Sequence, residues 1–121
     1  MTTGGAPVPQ GAVDGAVGAA RAYLRIVGNA EDAVLGVLAR AAIEVGEQFT
    51  GTCFVARTGE TASPAPVLAT DWDGLPAGIA HGVVMLTAHL FEARGRDAAP
   101  PAAVAALWRP HRRMRLVGVQ A

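Results

Sequence analysis

Four groups of side chains in this 121-residue sequence have the types that could carry chemistry. His81, His89 and Glu92 suggest a metal, but a zinc pair on one helix needs ligands three or four residues apart. The step from His81 to His89 is about 12 Å of helical rise, too far for one ion, so these residues read as surface or interface positions. Asp71 and Asp73 flank Trp72 as a D-x-D pair, which can hold magnesium when a phosphate substrate completes the shell. No phosphate-cradling glycine loop accompanies them, so capping and turn formation is the preferred reading. Cys53, the only cysteine, would need a nearby base and an electropositive setting to act as a nucleophile. The sequence supplies neither, and Cys53 reads as a small core thiol. G-x-S-x-G, a P-loop and G-x-G-x-x-G are all missing. No catalytic residue, metal or cofactor is therefore assigned, and the chain is not read as an enzyme.

The fourth group is the strongest local signal: Arg109, His111, Arg112, Arg113 and Arg115 near the C-terminus. Guanidinium groups fork onto phosphates or carboxylates, so such a cluster fits nucleic acid or an acidic protein surface. Trp108, Met114, Leu116, Val117 and Val119 interleave the charges with apolar groups. That mixture suits a protein groove better than DNA alone, because buried aromatic and arginine anchors dominate interface energetics. Residues Trp108, Arg109, His111, Arg112, Arg113, Met114, Arg115 and Leu116 are therefore expected to leave the helical body and dock on a partner.

Composition narrows the classes further. The formal charge is zero, from ten arginines, no lysine and ten acids, which speaks against a generally basic nucleic-acid coat and against an acidic tail. The zero hides an asymmetry, since residues 1–97 carry net −4 and residues 98–121 net +4. One cysteine excludes an intrachain disulfide framework. The first residues lack the basic start and continuous apolar run of a signal peptide. Residues 74–91 carry no acid or base, yet Pro76, Gly78, His81, Gly82, Thr87 and His89 make them too polar for a membrane span. A chain of this length supports a single core.

The elements that must position these groups are helical. Residues 1–11, rich in Gly and Pro, read as a flexible leader, followed by a helical domain over 12–108 and a basic docking segment over 109–121. Val13, Val17, Ala20, Leu24 and Val27 form one ridge of a first helix, ended by Gly28, with Asn29 placed to cap the next. Val34, Leu35, Leu38, Ala41, Ala42, Val45 and Phe49 cover an arc of roughly 120°, wide enough for the core face of a second helix that stops at Thr50-Gly51. Gly36, Ala39, Ile43 and Gly46 then fall away from that face, a stripe expected to meet a neighbouring subunit. Residues 52–70 read as an irregular loop, with a short hairpin from Cys53–Ala56 as its regular alternative. Pro76 opens a broadly apolar third helix that should be central, ended by Gly95. Pro100-Pro101 open a short fourth, carrying Val104, Leu107 and Trp108 and stopped by Pro110. The fold class is all-α, a small bundle of about four helices with an extended basic tail. Leu38, Val83, Leu86 and Leu90 are expected in its core.

Taken in order, several landmarks resemble the head-tail connector (adaptor) proteins of long-tailed bacteriophages and related phage-like particles. Leu24-Arg25-Ile26 is similar to the end of that family's first helix, and Glu31-Asp32 with Leu35 and Leu38 to its second. Ala88-His89-Leu90-Phe91-Glu92-Ala93-Arg94 resembles its A-H-L-Y-E-x-R, and Leu107-Trp108-Arg109-Pro110-His111-Arg112-Arg113 its L-L-x-P-Y-R-R ending. Phe91 and His111 stand where tyrosine is usual. The resemblance implies a structural virion subunit, made in the bacterial cytoplasm and without catalytic residues. It would form a ring, typically of twelve copies, beneath the portal protein, and meet a tail-side stopper or tail-completion protein. DNA would pass through the lumen without sequence-specific binding. The alternative from another class is a small nucleic-acid-binding module using the C-terminal arginines, whose affinity would fall steeply with salt.

Overall fold

The structure, a computed structural model, describes residues 7–57, 65–94, 96 and 99–113. Its order is α1 (Gln10–Leu24), α2 (Asp32–Thr50), β1 (Cys53–Val55), β2 (Val67–Ala69), α3 (Ala77–Glu92) and α4 (Ala102–Trp108). Single 3-10 turns lie at Trp72–Gly74 and Arg109–His111. The architecture is a mainly helical small bundle, as the periodicity indicates.

Pro9, extended at φ −60° and ψ 141°, starts α1, and the helix buries Ala12, Val13, Ala16, Val17 and Ala20. Val8 is buried as well, so the packed body begins before residue 12 and the expected leader is shorter than residues 1–11. The helix also stops sooner than its ridge suggests. Arg25 takes the left-handed C-cap at φ 61°, its N–H and that of Ile26 closing on the carbonyls of Ala22 and Arg21. Val27, expected on the core ridge, lies beyond this end and is 95% exposed. Gly28 is left-handed at φ 83° but belongs to the connector. Asn29 does not cap α2; Glu31 holds the cap position without a side-chain bond.

α3 is the central element and packs against α1, α2 and α4. It buries Ile79, Val83 and Leu86 on one ridge and Val84, Thr87 and Ala88 on the next. The Thr87 hydroxyl is satisfied by donating to the Val83 carbonyl at 2.7 Å. Leu38 and Leu90, expected in the core, are half-buried. Pro76 sits one position earlier than expected, at the N-cap of α3. That helix closes at Glu92, and Gly95, its expected stop, lies outside the described residues. Pro101 caps α4, as the Pro-Pro pair indicates.

The buried face of α2 is rotated by roughly a quarter turn from the sequence reading, which holds for Leu35 and Ala42 and fails for the valines. Its buried residues are Leu35, Ala39, Ala42, Ile43, Gly46 and Thr50, whereas Val34, Val37 and Val45 are exposed at 39%, 69% and 49%. Ala39, Ile43 and Gly46 therefore belong to the subunit's own core, and Gly36 is half-buried beside Val13 of α1. Those three are not an outward stripe for a neighbour; of the four expected residues only Gly36 keeps contact with the surface. The physical reason is bulk supplied by other elements: a Cβ on Gly46 would sit 2.7 Å from the Phe54 ring and 3.0 Å from the Trp108 indole. Small residues on α2 make room for two aromatic rings, so the small face turns inward.

Residues 52–70 do not make a hairpin. β1 and β2 pair in parallel, with Cys53 opposite Val67 and Val55 opposite Ala69. A tight turn would join antiparallel strands; here the chain crosses over between them.

Candidate docking site

The C-terminal arginines rest on a rigid base built around Trp108, which is 2% exposed. Its indole N–H donates to the Ile79 carbonyl of α3 at 3.2 Å. The ring lies edge-on to Phe54, with centroids 6.1 Å apart at 67°, and tilted against Phe49 at 6.3 Å. Gly82 of α3 leaves the space, since a Cβ there would overlap the indole. Trp108 is therefore a core residue and not one of the docking side chains. An aromatic with a buried N–H partner serves an interior as well as an interface, and the sequence does not say which.

Beyond Trp108 the chain makes the 3-10 turn Arg109–His111, and the Arg112 N–H closes on the Arg109 carbonyl at 3.0 Å. The Arg113 N–H then donates to the Thr50 carbonyl at 2.7 Å, which gives one of the orphan acceptors at the end of α2 a partner. The Arg112 guanidinium lies 5.1 Å from the Phe49 ring centroid. Residues 109–113 are thus fastened to the carboxyl end of α2, where the helix dipole favours positive charge, rather than leaving the body at Pro110. Arg109, Arg112 and Arg113 are exposed and His111 is half-buried. No ion pair joins any of the three arginines to a described residue. Met114, Arg115 and Leu116, together with Val117 and Val119, lie outside the described residues.

The other groups resolve as structural parts. Asp71 accepts from the Gly74 N–H at 3.0 Å and caps the 3-10 turn. Trp72 packs on Gly15 of α1. His81 is exposed and meets Tyr23 edge-on at 6.1 Å. No set of three or more His, Cys, Asp or Glu residues is grouped to hold a metal among the described residues. No described helix is long and apolar enough to cross a membrane.

Cys53 is buried and sits in a cluster that nothing in the sequence announces. Arg57 donates to both Glu47 oxygens, at 2.7 and 2.8 Å, and to the Cys53 sulfur at 3.0 Å. Glu47 also accepts from the Phe54 N–H at 2.8 Å. Burial pushes the Cys53 thiol up, against the opposing pull of Arg57. The Glu47 partnership, also through a charge-assisted bond, raises Arg57 despite desolvation. The cluster ties β1 and the following loop to α2. Glu47 and Arg57 are ten residues apart on different elements, so no helical spacing reveals them.

No family model matches the chain, and no curated protein does. Among solved structures, it is similar to a chain from the neck of an empty gene transfer agent (GTA) particle, computed with C6 symmetry. That likeness has 21% identity and a TM-score of 0.69, and it covers 97% of both chains. At this identity what is shared is the fold, from end to end.

Proposed function

We propose that this chain is a structural subunit of the neck of a phage-like particle, where a ring of copies joins the DNA-filled head to the tail. The observation that carries this reading is the shared fold, which leaves almost no part of either chain over. The order of helix-end motifs in the sequence supports it independently.

In this role the subunit does no covalent chemistry. A heterologous contact repeats from copy to copy until the rotation closes, giving a ring of about twelve as in the connector family that the sequence resembles. The ring extends the channel for DNA without reading its sequence. Arg109, Arg112 and Arg113, exposed on the Trp108 base, together with the chain that follows them, dock on the portal protein; another face meets the tail-side stopper or completion protein. Pre-positioning matters here, because side chains already held in place lose less freedom on binding. Rim arginines that pair with carboxylates raise the association rate, and those that become desolvated slow dissociation.

The test compares the wild type with an Arg109→Glu/Arg112→Glu double variant for binding to purified portal rings and to plain duplex DNA. Both side chains are exposed, so the variant should stay folded. The expected result is lost portal binding with little effect on DNA. Retained portal binding, with duplex binding lost and a steep salt slope in the wild type, would instead identify a nucleic-acid module.

A further inference from the structure

The outer face of α2 exposes three valines from which a lone subunit gains nothing, with Glu44 and Gln48 set among them. Val34, Val37 and Val45 point away from the core, exposed at 39%, 69% and 49%, with Ala33 exposed and Ala41 half-buried alongside. At 100° per residue this stripe lies opposite Leu35, Ala39, Ala42, Ile43 and Gly46. The helix thus carries bulky apolar side chains on both sides, more than a face left to water needs. Between α1 and α2 a groove runs along the stripe, lined by Gly36, Val37, Arg40, Ala41, Glu44 and Asp32, whose carboxylate is paired with Arg21 at 3.3 Å.

We infer that this valine face seats a second copy of the same chain and is one half of the subunit contact in the ring. The inference rests on the neck reading above for the identity of the occupant, and charge complementarity supports it. Glu31 at the start of the face and Glu44 within it have no ion pair to a described residue. Arg40, which also lines the groove, donates to the Val8 carbonyl at 2.9 Å and the Gln10 side chain at 3.0 Å. These acceptors are neutral and leave its charge in place, so with Glu31 and Glu44 the face keeps a small net negative charge. The second copy brings Arg94 and Arg96, exposed beyond α3 beside the single described acid Glu92 and not used in portal docking; among the described residues Arg94 stacks on Phe91 and both arginines donate to backbone carbonyls. A head-to-tail ring needs two unlike, complementary patches on each subunit. The valine stripe with its acids and the arginine end of α3 are such a pair.

Sedimentation velocity across a concentration series provides the test, with circular dichroism to check folding. Val37→Glu and Val45→Glu are the test variants, and Val27→Glu, on an exposed valine away from the stripe, is the control. The expected result is concentration-dependent association of wild type and control, weakened roughly tenfold or more in both stripe variants because a carboxylate would be buried. Unchanged helicity in those variants, together with weaker wild-type association as salt rises, is expected too. If the stripe variants associate like wild type, this face is not the contact, and the neck reading stands on portal binding. A wild-type chain that stays monomeric at every concentration also overturns the inference. The portal-binding assay scores the neck reading separately, so the two failures are distinguishable.

Discussion

The Trp108 indole N–H reaches the Ile79 carbonyl at 3.2 Å across 29 residues of chain. This bond locks the short α4 onto the first turn of α3, and with it the base that carries the arginines. The fold and the exposed arginines proposed to dock therefore share one anchor. Damage to the core at Trp108 should reach the partner surface without touching an arginine.

Trp108→Ala should cost roughly 3–5 kcal/mol, and Trp108→Phe, which keeps most of the packing but removes the N–H, about 1 kcal/mol. Gly82→Ala drives a methyl into the indole and should cost about 1–3 kcal/mol. Thermal melts of the three variants check the order. Equal midpoints would mean that Trp108 is not the anchor.

Leu86 is 4% exposed in the central helix. Leu86→Ala should lower stability by roughly 2–5 kcal/mol, depending on how far α1, α2 and α4 relax into the cavity. Chemical denaturation measures it.

Ile43 and Val37 separate the two faces of α2. Ile43, at 1% exposure, sits in the interior, so Ile43→Glu should unfold the subunit rather than only disassemble it. Val37→Glu should leave the helical content intact. A folded Ile43→Glu subunit by circular dichroism would restore the face assignment that periodicity alone suggests.

Much of the helical layout is legible in the sequence, because its boundaries carry local physics. Gly51 is left-handed at φ 73° at the end of α2, and Pro76 and Pro101 each hold the N-cap of a helix. The orientation of α2 is not legible, because both its sides are apolar or small. What decides between them is the bulk of Phe54 and Trp108, which arrive from elsewhere in the chain. Trp108 misleads for the same reason: its neighbours in sequence are arginines, and its neighbours in space are Phe49, Phe54 and Gly82. The parallel pairing of β1 with β2 and the Glu47–Arg57–Cys53 cluster join segments with no shared periodicity. The exposed arginine cluster, by contrast, could be read directly, because charge density in sequence remains charge density on a surface.

Glu47 and Arg57 are each only 14% exposed, so Glu47→Ala, which takes the counter-charge from the guanidinium and the acceptor from the Phe54 N–H, should cost roughly 3 kcal/mol. Cys53 supplies a pH signature. Burial, its first cause, raises the thiol above its ordinary value of 9.0, so the folded chain holds this proton after the unfolded chain has released it. The contribution is constant below pH 9.0, and stability falls as pH rises beyond it. Native Cys53 should resist alkylation until the chain unfolds, and Cys53→Ala should flatten the decline above pH 9.0. Rapid labelling of the native thiol near neutral pH would contradict its burial.

The most direct measurement bears on the place of the chain in a particle. The gene is deleted in the producing cell, and the released particles are imaged by electron microscopy while their DNA content is assayed. A neck subunit predicts DNA-bearing heads that lack tails, with tailed particles restored by the wild-type chain and not by Arg109→Glu/Arg112→Glu. Complete tailed particles in the deletion strain would contradict the neck assignment.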